Sequence, residues 1–462
     1  MNFQFAEPFR IKMVENVKRT TKDQRQLWLK EAQFNVFKLR AEDVYIDCIT
    51  DSGTSAMSSE QWAALMRGDE SYAGSQSFYR MEASVKEVFG MPYVQPVHQG
   101  RAADFMLAQL YTQPGKYALG NMHFDTFRGN AEVAGAKVLD LVVDEGLDAA
   151  SPASPFKGNL DLAKLEHVIT THGRENITMV MVTVTCNNNG GQPVSMANLK
   201  AVGAICRKHQ IPLVIDAARL SENAYFIKIR EAEYADWEIK AITREMLAEA
   251  ETAVMSAKKD GLVNIGGLFV TRNLDIYHQA NQLSIVHEGF ITYGGQAGRD
   301  MDALAVGLQE STQFDYLDYR IKQVDYLGQQ LKLRNIPIID PPGGHGIYVD
   351  AKRFFPHIPQ SEFPAQRLVV ALYEEAGIRC VELGACAFGS KDPITKEPVW
   401  PALEVMRIAI SRRVYTNRHL DCIVEALSYI YAQRDTYKGM KLVYEGPITS
   451  LRHFTAGFEL LP

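Results

Sequence analysis

Four short polar stretches in this chain carry groups that can do chemistry together, and each lies in or beside an apolar run. The first is Gln99-Gly100-Arg101. A glycine turn entering a helix presents unpaired N–H groups and a positive dipole end, so with Arg101 beside it this stretch can cradle a phosphate. A glycine before a helix is otherwise an ordinary turn. The chain lacks GxGxxG and GxxxxGK[ST] here, which excludes the dinucleotide and P-loop forms of such a cradle. The second is Asp216, directly after Pro212–Ile215, with Arg219 three residues on. A carboxylate at a buried strand end either caps a helix or faces a cation, and a protonated pyridine nitrogen is such a cation. The third is Ser256-Ala257-Lys258-Lys259-Asp260, after Ala253–Met255. Burial lowers a lysine pKa and suits the amine to Schiff-base chemistry. The fourth is Arg407 within Glu404–Ile410. It is either a charge on an edge strand or a fork that holds a substrate carboxylate at two points. Together these groups supply what pyridoxal phosphate needs in order to act on an amino acid.

The elements that must position them alternate. Tyr93–Val97 reads as a strand, Ala102–Tyr111 as a helix and Ala136–Val143 as a strand. A Ser- and Pro-rich loop, Ala149–Gly158, precedes a helix with Leu162, Leu165 and Ile169 on one face and Gly173 past its end. Ile177–Thr185 is a β-branched run, Ser195 caps a helix facing inward with Leu199, Val202 and Cys206, and Ile211–Ile215 and Ile265–Val270 read as strands. Continuous apolar strands alternating with helices predict an α/β fold with a mostly parallel sheet covered on both faces. Ligands of such sheets sit at the carboxyl ends of the strands, where the first three stretches fall.

The predicted organisation is an N-terminal arm and part of the small domain over 1–56, with a strand at Val44–Cys48, a large domain over 57–310 and a smaller α+β domain over 311–462. The last contains a helix with Leu317, Ile321, Val324, Leu327 and Leu331 on one face, the strand Ile347–Val349 and a polar loop at Lys391–Pro401. With 462 residues, 46% hydrophobic and 23% charged, the chain has enough apolar matter for large cores. A net charge of -6 gives no footprint for nucleic acid or an anionic membrane. Met1–Val14 lacks the apolar core of a secretory signal and no stretch reaches membrane-spanning length, so a cytoplasmic location is expected. Six cysteines without a CxxC pair read as reduced packing thiols.

Longer motifs carry a resemblance. ITDSGT at Ile49–Thr54, GDESYAGS at Gly68–Ser75, HQGR at His98–Arg101 and GGQPVSMANLKA at Gly190–Ala201 are joined by MSAKKD at Met255–Asp260, RRVYT at Arg412–Thr416 and LRHFTA at Leu451–Ala456. On these the chain resembles, over nearly its whole length, the β-eliminating lyases that split aromatic amino acids, the family that holds tryptophan indole-lyase and tyrosine phenol-lyase. The resemblance implies the aspartate-aminotransferase type I fold, pyridoxal 5'-phosphate, potassium and a homotetramer with active sites at a dimer interface. It implies Lys259 as the cofactor-bearing lysine and α-proton base, Gln99, Gly100, Arg101 and Ser256 at the phosphate, Phe124 stacked on the ring and Asp216 on its nitrogen. It also implies Asn187 at the ring hydroxyl side and Arg219 nearby. Thr50, Ser52, Asn187 and Arg407 take the substrate carboxylate. Tyr72, as an acid near the leaving group, and Tyr293, at the phosphate, come from the neighbouring subunit, and Gly53, Glu70 and Asn264 match the potassium site.

Within that family, Asp125, His453 and Leu383 match the indole-lyase pattern, where phenol-lyases carry Thr, Phe and Arg. The implied reaction converts L-tryptophan and water to indole, pyruvate and ammonia. On that resemblance Asp125 is expected to accept the indole N–H, His453 to tune Asp125 or Tyr72, and Leu383 to pack on the ring. A phenol-lyase, a broader β-lyase acting on S-alkylcysteine or serine, and a cofactor-binding protein that has lost activity are the other readings. Ala102, Phe127, Arg128, Asn130 and Ser411 depart from the family pattern, three of them beside Asp125.

Overall fold

The computed structural model describes residues 6–152, 154–392, 395–446 and 449–462. Ala153 of the loop 149–158, and residues 393–394 of the loop 391–401, lie outside that set. In chain order the strands are β1 (Ile46–Asp47), β2 (Tyr93–Val97), β3 (Tyr117–Gly120), β4 (Lys137–Asp140), β5 (Ile177–Thr183), β6 (Leu213–Asp216), β7 (Thr252–Ser256) and β8 (Gly267–Thr271). They continue with β9 (Gly346–Asp350), β10 (Ile378–Arg379), β11 (Val381–Leu383), β12 (Ser390–Lys391), β13 (Pro398–Val399) and β14 (Val405–Ala409).

Seven of them form one sheet in the order β2-β8-β7-β6-β5-β3-β4. The pairs from β7 across to β4 are parallel and only β8 runs the other way, so β2, β3, β5, β6 and β7 end on one edge. The buried run of β5, Ile-Thr-Met-Val-Met-Val-Thr, is what a central strand covered on both faces requires. The flanking helices start and stop where the sequence places them. Ser195 accepts from the Asn198 amide at 3.1 Å, and Gly173 follows Leu162–His172. Tyr117–Gly120 escaped the sequence reading because four residues between turns show no usable periodicity.

Two cores result. One packs around the large sheet. The other gathers Leu29, Val36, Val44 and Ile46 from the arm with Leu327, Leu331, Tyr348, Leu372 and Val405. β1 pairs in parallel with β10, and β11-β14-β9 form an antiparallel sheet. The helix Phe314–Lys332 joins both cores, with Leu317 facing the first and Leu327 the second. Among the described residues no helix is long and apolar enough to cross a membrane.

A buried ionic network ties the cores together beneath the sheet edge. Arg412 donates to Asp51 (2.9 Å), Glu222 (2.8 Å) and Asp260 (3.1 Å). Arg320 donates to Glu222 at 3.1 Å, and Arg219 grips both oxygens of Asp51 at 3.1 and 2.8 Å. Three carboxylates therefore meet three guanidiniums. Burial alone would raise the Asp51 carboxyl, but Arg219 and Arg412 hold it well below the usual carboxylate range. Removing one partner strands the others without water. Arg412→Ala is expected to lower stability by about 3–5 kcal/mol, read as a fall in the urea midpoint at unchanged slope. An unchanged midpoint would show that the network does not hold the cores together.

Candidate active site

A cavity of about 280 Å³ opens at the carboxyl ends of β2, β6 and β7, and the arm and the small sheet close over it. Its walls bring together Thr50, Ser52, Gln99, Gly100, Arg101, Phe124, Asp125, Asp216, Arg219, Ser256, Lys259, Arg407 and His453.

Lys259 follows β7 in a turn closed by its own amide on the Ser256 carbonyl at 3.3 Å. It is 8% exposed, and its Nζ lies 4.9 Å from the centroid of the Phe124 ring. Burial, with Arg219 adding to it, brings its pKa down to about 8 against the pull of Asp216, Asp51 and Asp104. A fraction of this amine is therefore neutral near neutral pH. Lys258 also lines the cavity but is less buried, and it donates to Gln99 Oε1 at 3.2 Å.

The Gln99-Gly100-Arg101 turn begins the helix Gly100–Tyr111, and no side chain caps its first amides. A Cβ on Gly100 would stand 2.6 Å from the Ser256 Cβ, so only glycine lets these two strand ends close into one cradle. Ala102 turns its methyl into the core behind. Uncapped amides, the Ser256 hydroxyl and Arg101 are a donor set suited to a phosphate. Across the cavity the Asp216 Oδ1 accepts from the Ala218 amide at 3.0 Å, with no second hydrogen bond among the described residues. Burial raises its carboxyl, and Lys259 is the chief opposing charge. Arg219 is not its partner, because Asp51 holds that guanidinium. The uncapped cradle, the free carboxylate oxygen and the buried amine fit the phosphate, ring nitrogen and aldehyde of pyridoxal phosphate.

Arg407 lies on β14, the middle strand of its sheet, which disposes of the edge-strand reading. Its NH1 donates to Asn187 Oδ1 and its NH2 to the Ile49 carbonyl, each at 2.9 Å, while Nε is buried without a partner. Asn187 thus reaches the cavity through Arg407 and does not line it.

At the far end His453 is buried, not a surface residue, and its Nε2 stands 3.7 Å from Asp125 Oδ2. Asp125 Oδ1 and His453 Nδ1 are buried without partners. Burial, with Arg407 and Arg452 nearby, brings His453 down to about 4, and burial raises Asp125. Phe37 and Phe454, which the sequence reading missed, stand edge to face at 5.0 Å and wall this end. The reading also missed Asp104, which accepts from the Thr126 hydroxyl at 2.5 Å and whose carboxyl is pushed up to about 7 by burial and the nearby Asp216. Three departures from the family pattern follow Asp125 on its own helix. Phe127 stacks on His123 at 5.3 Å, Arg128 pairs with Asp140 at 2.7 Å, and Asn130 donates to the Thr126 carbonyl. Ser411, another departure, shares a 2.7 Å hydrogen bond with Thr54.

Other expected site residues stand elsewhere. Leu383 lies opposite Val405 and packs into the small core, and Val381, opposite Arg407, takes the wall. Tyr72 is 68% exposed, stacks on Phe290 at 5.6 Å and lies 5.9 Å from Tyr293, and neither tyrosine lines this cavity. Gly53 and Asn264 are in contact within the chain, and Glu70 is bonded to a different segment. The Asn264 amide donates to the carbonyls of Gly53 and Ser55, while Glu70 accepts from the amides of Gly298 and Arg299. Among the described residues no cluster of three or more His, Cys, Asp or Glu side chains offers a metal site.

Comparison with known proteins places these features in context. The β-eliminating lyase family profile matches residues 47–426. The chain is 47% identical over 459 residues to the tyrosine phenol-lyase of Symbiobacterium thermophilum, covering 99% of both chains. It is 48% identical over 455 residues to the tryptophanase of Hyphomonas neptunium, covering 98% of this chain and 99% of that one. Among solved structures, Bna3p of Saccharomyces cerevisiae superposes with TM-score 0.63 at 15% identity over 91% of this chain and all of the other. The threonine aldolase of Leishmania major gives 0.59 at 14% over 84% and 99%. The fold is that of the type I pyridoxal phosphate enzymes.

The burial of Lys259 has a measurable consequence. In cofactor-free protein, competitive trace acetylation of Lys259 is expected to rise with pH through a midpoint near 8, because only the neutral amine reacts. A midpoint near 10, as for an ordinary lysine, would contradict the environment described.

Proposed function

This chain belongs to the β-eliminating lyase family, and from that premise we propose that it uses pyridoxal phosphate to convert L-tryptophan and water to indole, pyruvate and ammonia. The observation that carries the choice of substrate is Asp125 beside His453, whose buried oxygen lacks a donor at the aromatic end of the cavity. An indole N–H supplies that donor. A phenolic oxygen is better served by a guanidinium; of those lining the cavity, Arg219 is held by Asp51, while Arg101 and Arg407 are taken up with the phosphate and the substrate carboxylate in this reading.

Bound pyridoxal phosphate supplies an electron sink for the pair left on the α-carbon. The protein's own groups do the rest. The cradle at Gly100 and Ser256 anchors the phosphate end, and Asp216 holds a proton at the ring nitrogen. Arg407, with Thr50 and Ser52, orients the substrate carboxylate, so that the α-hydrogen faces Lys259. The Lys259 amine, neutral in part at neutral pH, takes that proton. Phe37 and Phe454 keep water from the aromatic ring, and Asp125, braced by neutral His453, fixes the indole nitrogen. Tyr72 protonates the leaving carbon from a neighbouring copy. In support of that arrangement, its ring and those of Phe290 and Tyr293 form a cluster in which Tyr72 is 68% exposed.

A second reading, a tyrosine phenol-lyase, is favoured by relatives such as the Symbiobacterium enzyme bearing that name. Purified holoenzyme is expected to release indole from tryptophan with a higher kcat/KM than phenol from tyrosine; faster phenol release would decide for the second reading. Asp125→Ala is expected to lower kcat/KM for tryptophan about 100-fold while changing it less than about threefold for S-methylcysteine, whose leaving group has no N–H. Equal losses would remove Asp125 from indole recognition. No α-proton exchange with any amino acid in deuterated water would favour a binding protein without activity. Mixing inactive Tyr72→Phe and Lys259→Ala proteins is expected to restore roughly a quarter of the activity by pairing intact sites across an isologous interface, and no recovery would place Tyr72 outside the neighbouring site.

A further inference from the structure

Tyr348 stands directly opposite Arg407 in the β9–β14 ladder and is 1% exposed. Its hydroxyl donates to the backbone carbonyl of Asn187 at 2.7 Å and lies 2.9 Å from His345 Nε2. His345 is fully buried among Arg219, Arg407 and Arg320, and burial with these charges keeps its ring well below the ordinary histidine range. The ring is therefore neutral. Because the Tyr348 proton is given to Asn187, the ring hydrogen must sit on Nε2 and be donated to the Tyr348 oxygen. One chain of hydrogen bonds thus runs from His345 to Tyr348 to Asn187.

Asn187 follows β5 of the large sheet, whereas Tyr348 and Arg407 belong to the small one, so this chain crosses between the two cores. The Asn187 side chain has no freedom to turn. Its Oδ1 accepts from Arg407 NH1 at 2.9 Å, and its Nδ2 donates to Asn188 Oδ1 at 2.7 Å. Asn188 is anchored in turn on the His123 carbonyl at 2.8 Å. The guanidinium has only donors, so the Asn187 oxygen must face it. With NH2 on the Ile49 carbonyl, Arg407 is held at both ends, and the terminal N–H groups not used in these two bonds are left for an incoming anion at the cavity that Arg407 lines.

We propose that Tyr348 is a positioning residue for substrate binding: through Asn187 it fixes the Arg407 fork in the orientation that receives the α-carboxylate, and His345 fixes the Tyr348 hydroxyl from behind. This rests on the reading of Arg407 as the carboxylate anchor. Tyr348 touches no reacting atom, so its loss falls on carboxylate binding and not on the chemical step.

Calorimetric titration of the holoenzyme with L-alanine and with L-alaninamide separates these statements, since neither ligand has a β leaving group and only one has a carboxylate. Tyr348→Phe is expected to weaken L-alanine about 3- to 10-fold, the worth of one neutral hydrogen bond, and L-alaninamide less than about twofold. In turnover the KM of the amino-acid substrate rises by the same factor while kcat stays within about twofold. His345→Asn, whose shorter side chain cannot reach the hydroxyl, gives the same selectivity at smaller size. Equal weakening of both ligands, or of neither, overturns the inference. Arg407→Ala tests the underlying reading separately. If it does not weaken L-alanine more than L-alaninamide, Arg407 is not the carboxylate anchor. If it does and Tyr348→Phe does not, only the role of Tyr348 falls.

Discussion

Keeping one lysine amine out of water, close to carboxylates yet only partly charged, is the constraint from which the rest of this site follows. Burial of an ammonium is expensive, and the protein offsets it in part with Asp216, Asp51 and Asp104 while setting Arg219 against them. Neighbouring parallel strands make this possible. β6 and β7 run side by side with Asp216 opposite Val254, so the carboxylate at one strand end and the serine at the next point into the same space. The lysine needs only one more turn of chain to enter it.

The ionic network below serves the same end. Had Asp51 not taken the Nε–NH2 edge of Arg219 with both its oxygens, that guanidinium would be the natural partner of Asp216, and the free carboxylate oxygen would be lost. Asp51 comes from the arm, Glu222 from the helix Leu220–Arg230, Asp260 from the turn after β7, and Arg320 and Arg412 from beyond the large sheet. The charges that leave Asp216 available therefore also join the two cores. A site assembled from stretches more than 400 residues apart owes its shape to contacts of this kind, and Arg407 reaching Ile49 and Asn187 is a second example.

Much of this was legible in the chain because it depends on local pattern. Apolar runs marked β2, β5, β6 and β7, and the polar residues directly after them marked the cradle, Asp216 and Lys259. Residues that act through distant partners could not be read in the same way. Asp51 looks like one more loop carboxylate until Arg219 and Arg412 are placed on it. Phe37 and Phe454 lie more than 400 residues apart and meet only when the arm folds against the C-terminal segment. Asp104 sits inside an ordinary amphipathic helix, and only burial beside Asp216 distinguishes it. Leu383 went the other way. Its position two residues beyond Val381, on the same side of a short strand, takes it past the cavity and into the core.

The central claim is that the buried amine of Lys259, and not that of its neighbour Lys258, bonds covalently to the cofactor. Borohydride reduction of the holoenzyme followed by peptide mass mapping tests it most directly. The account predicts a single phosphopyridoxyl adduct on Lys259. An adduct on Lys258 or on any other lysine, or none at all, would contradict it.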